Sequence, residues 1–85
     1  MPEKRIGKVV HYFKAIQVAA LSITDNSIAV GEVVHFKGRT TDFSQPVESL
    51  QVEHQAVQQA GVGQDVATKV AEPVRPGDEV YKVIA

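Results

Sequence analysis

Apolar and polar residues alternate with a period of two along most of this chain, β-branched residues are frequent, and turn residues interrupt the pattern every ten to fifteen positions. That pattern constrains the fold more than any other feature, because it puts successive side chains on opposite faces of an extended backbone. No window carries a helical period long enough for a stable helix. The expected fold class is all-β.

Six strands follow from the breaks. Residues 5–13 and 15–24 are expected to pair as a hairpin, the second strand ending in Asp25-Asn26-Ser27, whose side chains bond their own backbone in turns. In 33–39, Val34 and Phe36 point inward and Val33 outward. A polar loop over 40–45 leads to a fourth strand, 46–54, which opens on Pro46, where a missing N–H is tolerable. Leu50 and Val52 face its core side, Gln51 and Glu53 its wet side. Residues 55–62 are rich in Gln and Ala and are expected to form at most a helical turn before Gly61 and Gly63. The fifth strand is 65–72 and the sixth 79–84, after the Pro76-Gly77-Asp78 turn. Six short strands in one core favour a small closed barrel, since closure removes exposed edges.

Eighty-five residues allow one domain, 1–85, and only a compact one with most ionisable groups in water. Without a single cysteine, disulfides and thiolate chemistry are excluded. No apolar run approaches the roughly 18 residues of a membrane span, and an alternating segment follows the N-terminus where a signal peptide would be apolar. The expectation is no membrane and a cytoplasmic location.

Residues 1–39 hold six basic groups (Lys4, Arg5, Lys8, Lys14, Lys37, Arg39) against three acids, and 40–85 hold three against seven, giving halves of plus three and minus four. A nucleic-acid site on such a chain has to be local. No Gly-Lys-Ser/Thr loop occurs, so nucleotide hydrolysis is excluded on sequence grounds. His11, His35 and His54 lie on different strands and suggest no metal site. Ser22, Ser27, Ser44 and Ser49 have no neighbouring base, so no enzyme and no cofactor are expected.

Three stretches resemble known families: Ile6-Gly7-Lys8-Val9-Val10-His11-Tyr12-Phe13, Val30-Gly31-Glu32-Val33-Val34-His35-Phe36-Lys37-Gly38, and Val74-Arg75-Pro76-Gly77-Asp78-Glu79-Val80-Tyr81-Lys82-Val83. They look like a family of small proteins similar to translation elongation factors, and like the C-terminal domain of the collagenase-like peptidases. Both families are similar to the second domain of elongation factor Tu. The resemblance implies a six-stranded Greek-key barrel of the translation-factor type. It also implies a non-catalytic binding module that contacts RNA, the ribosome or an RNA-linked protein. The alternative is a protein-interaction module acting in trans with an enzyme of the collagenase-like peptidase type. Ala67 departs from the pattern, which usually has Gly there.

The candidate binding surface joins Lys8, Tyr12 and Lys14 with Lys37, Arg39, Thr40, Thr41, Asp42 and Phe43. Residues 39–43 supply a cation, two hydroxyls, a carboxylate and an aromatic within one loop, and loops on rigid β scaffolds often carry binding. Tyr12 and Phe13 beside lysines suit stacking. The structural alternative is that Thr and Asp cap the loop while Phe43 plugs the core.

Overall fold

The computed structural model describes residues 2–84. Among them every regular element is a strand: β1 (Glu3–Phe13), β2 (Val18–Ile23), β3 (Ile28–Ala29), β4 (Val33–Lys37), β5 (Asp42–Pro46), β6 (Leu50–Val52), β7 (Gln55–Val57), β8 (Gln59–Ala60), β9 (Asp65–Lys69) and β10 (Glu79–Val83). Eight of them form one sheet in the order β5-β4-β10-β1-β2-β9-β6-β7, while β3 and β8 pair separately. The all-β expectation holds. The six-stranded closed barrel does not, because no backbone ladder joins β5 to β7.

The N-terminal strand is the long spine of the sheet. It pairs with β10 on one side and β2 on the other, and it slips register once against each, at Ile6 and at Val10. Each slip is a bulge that adds a residue and sharpens the local twist, which lets one strand serve two differently curved neighbours. Gly7 sits between the bulges, where β2 passes so close that a side chain would overlap the Ser22 carbonyl oxygen.

Alternation reads correctly where a strand has one dry face. Val34 and Phe36 are fully buried, Val33 is 40 % exposed, and Phe36 stacks on Phe43 with ring centroids 5.1 Å apart. Leu50 is buried, Val52 is half-buried against the core, and Gln51 and Glu53 are exposed. Buried Thr68 donates its hydroxyl to the Ser49 carbonyl at 2.8 Å, so its polar atom is satisfied inside the core. The 75–78 turn has Pro76 at its second position, Gly77 at φ 95° and a 3.0 Å bond from the Asp78 N–H to the Arg75 carbonyl, as a type II turn requires.

Three expectations are corrected. Residues 42–46 form an edge strand against β4, from Lys37 opposite Asp42 to Val33 opposite Pro46. Their Asp, Ser and Gln carry little strand propensity, so the neighbour imposes the conformation. The expected strand 46–54 is two pieces, the end of β5 and then β6, and it stops at a two-residue turn. Glu53 and His54 there have φ of 52° and 66°, and Val52 pairs with Gln55 across them. Residues 55–62 hold β7 and β8 rather than a helical turn.

Side-chain atoms tie the edge strand β5 to the end of β9. Gln45, on the edge strand β5, donates its Nε2 to the Lys69 carbonyl at 2.8 Å and accepts the Ala71 N–H on its Oε1 at 2.7 Å. One primary amide thus offers the donor and acceptor that a neighbouring backbone would supply.

Candidate functional site

Alternation on β4, β10 and β1 brings several candidate residues to one outer face. In register across β5, β4, β10 and β1 lie Ser44, His35, Tyr81 and Arg5, and the next row is Asp42, Lys37, Glu79 and Lys8. Expected cations and intervening acids therefore alternate. Arg5 reaches Asp25 at 3.4 Å and Glu79 at 3.3 Å, the latter contact too poorly aligned to be a hydrogen bond for its Nε. β10 lies between β1 and β4, so Lys8 and Lys37 sit about 10 Å apart with Glu79 in the register between them.

The candidate loop divides by parity. Thr41 is buried and Phe43 is half-buried on Phe36, whereas Arg39 and Thr40 are exposed in the turn and Asp42 is exposed on the outer face. Tyr12 is half-buried against the core, and Lys14 is exposed in the turn after β1. Thr41, Phe43 and Tyr12 thus serve packing. Lys8, Lys14, Lys37, Arg39, Thr40 and Asp42 remain at the surface.

The strongest polar cluster includes a residue that sequence reasoning missed. His35 has Nδ1 2.8 Å from Glu3 and Nε2 2.5 Å from Asp42, with its side chain 17 % exposed. A neutral imidazole has one N–H and satisfies one carboxylate, whereas imidazolium donates to both. The hydrogen bond to Asp42 raises the His35 pKa above its usual 6.5; partial burial opposes this and the contact with Glu3 supports it. Glu3 and Asp42 approach opposite ring nitrogens, so the three groups do not converge on one point as metal ligands. With both nitrogens engaged, the ring has no free position to act as a base. Parity places His35 on the outer face, but nothing in the sequence marks Glu3, which is 32 positions away. Tyr81 donates its hydroxyl to Glu79 at 2.8 Å, and that bond raises the phenol's pKa above 10.

Exposed apolar side chains elsewhere include Val10 at the bulge of β1, and Phe13 (edge-on to His11 with ring centroids 4.5 Å apart) and Ile16 at 62 % exposure near the β1–β2 turn. An isoleucine in a four-residue turn is the signal that reading the sequence passed over. Among the described residues, no helix is long and apolar enough to cross a membrane.

The overall fold is shared with a solved structure. The chain overlays the C-terminal domain of a Geobacillus thermoleovorans protein assigned as a U32 peptidase with a TM-score of 0.88, at 25 % identity, covering 95 % of this chain and 93 % of that domain. In sequence it is 35 % identical over 78 residues to a collagenase of Porphyromonas gingivalis, covering 91 % of this chain and 22 % of the collagenase. It is 34 % identical over 77 residues to an uncharacterized protease of Methanocaldococcus jannaschii, covering 89 % of this chain and 19 % of the protease. The chain thus spans about a fifth of the length of the curated relatives it matches. No family model matches it.

Proposed function

We propose that this chain is a non-catalytic protein-interaction module that associates with the body of a collagenase-like peptidase. The observation that carries this reading is coverage: 91 % of the chain aligns with about a fifth of a collagenase, and the whole fold matches an isolated C-terminal peptidase domain. A chain that matches so small a part of a peptidase suits a binding role beside the remainder of the enzyme. The resemblance to translation factors favours RNA, but only through the sequence pattern. The alternating charges around Glu79 give that reading no added support.

The test is to mix the purified 85-residue chain with a collagenase-like peptidase truncated of its own C-terminal domain. Calorimetry should give a Kd of about 10 μM or tighter, as expected for a modest interface separated from its covalent link. Absence of a complex, under conditions where the truncated enzyme rebinds its own domain, would remove the proposal.

A further inference from the structure

On the outer face of the sheet, β9 pairs with β2 through five residues but with β6 through one bridge, Gln51 with Ala67. Two shallow hollows of about 240 and 170 Å³ flank that bridge, and both are lined by Gln51 and Ala67. Together they form one groove along β9. Its floor is low because Ala20 and Ala67 stand side by side in the register with methyl groups only. The more exposed wall is Ile16, and Gln51 faces it with an amide that can donate and accept.

The ends of this groove carry opposite charges. Lys69 lies at one end, with Asp65 and Glu53 at the other. All three are exposed, and among the described residues none has an opposite charge within 4 Å. Lys69 and Asp65 are four strand positions apart, about 13 Å, which matches four to five extended residues. A phosphate backbone laid along the groove would meet two carboxylates at one end. An extended peptide with a charge of one sign at each end complements both ends at once.

We propose that this groove docks an extended segment of the peptidase body. The segment places an acidic side chain against Lys69, small apolar residues over Ala67, and a basic side chain between Asp65 and Glu53. The assignment rests on the peptidase association proposed above and names the surface that makes it.

The experiment measures binding of the same truncated peptidase to the parent chain and to Ala67→Leu and Lys69→Glu, with overlapping dodecapeptides from the peptidase as probes. Both substitutions lie on the exposed side of β9, and an unchanged backbone amide spectrum confirms that each variant folds. Ala67→Leu fills the floor and should abolish binding, and Lys69→Glu should weaken it about 10-fold by setting like charges together. The peptides that bind should carry an acid and a base about four residues apart and should shift the amides of Ala20, Gln51 and Ala67. Equal binding by both variants overturns the groove while leaving the association standing. Binding only by peptides without the charge pair overturns the stated occupant. No binding by the parent chain removes both proposals together.

Discussion

At Gly7 the chain has no room for a methyl group, since it would overlap a carbonyl oxygen of the paired strand rather than a movable side chain. Gly7→Ala is expected to cost about 3 kcal/mol, the upper part of the range for overpacking. On thermal melting, that is a midpoint more than about 10 °C lower for a domain of this size. A melt indistinguishable from the parent would mean that β1 and β2 lie farther apart there. His35 makes a second expectation at this scale. Its folded pKa is raised above the unfolded 6.5, so its pairing stabilises fully below about pH 6.5 and fades as pH rises through the folded pKa. Denaturant midpoints measured between pH 5.5 and 8.5 should fall for the parent, and the fall should be shallower for His35→Gln. Parallel profiles would show that the ring does not titrate in contact with Glu3 and Asp42. The two residues differ in how visible they are beforehand: Gly7 sits in a recognisable stretch, whereas the partner of His35 comes from a distant strand that pairing alone brings near.

Among the elements, the tight β6–β7 turn holds two non-glycine residues in left-handed backbone, which costs each about 1 kcal/mol or more. Replacing Glu53-His54 by Asn-Gly supplies the residues that a type I′ turn favours. The double substitution should therefore raise stability by about 1 kcal/mol, read as a higher denaturant midpoint at unchanged slope. A lower midpoint would mean that the Glu53 or His54 side chain makes a contact worth more than the backbone relief. This turn also explains what could be read in advance and what could not. β1, β2, β4, β9 and β10 each show a dry face and a wet face in their own residues, so alternation finds them. β5 and β7 are edge strands in which Asp, Ser, Gln and Ala leave only Phe43 and Val57 as strand formers, and Glu-His is not a turn signal. These segments are strands because a neighbour offers them a ladder, and that information lies in the register rather than in the segment.

For the molecule as a whole, Phe36 anchors the core: it is fully buried, stacked on Phe43 and opposite Val80 in the register. Phe36→Ala should remove about 3 to 5 kcal/mol, much of what a domain of this size possesses. The variant should lose most near-ultraviolet dichroism at 25 °C. A denaturant midpoint within error of the parent would show that other contacts hold the core together. The candidate surface was only partly legible because parity along β4 and β5 separates packing residues from exposed ones, while strand order decides which charges meet. Lys8 and Lys37 are basic in any reading, but Glu79 lies between them only because β10 does. The amide of Gln45 across the open sheet carries a different kind of consequence. A backbone ladder is indifferent to most substitutions, since every residue except proline carries the same N–H and C=O. This join depends on the side chain at one position. A change of a single codon there frees the Lys69 carbonyl and the Ala71 N–H together. Descendants of this chain can therefore loosen or restore the tie between β5 and the end of β9 within one mutational step, leaving every strand in place.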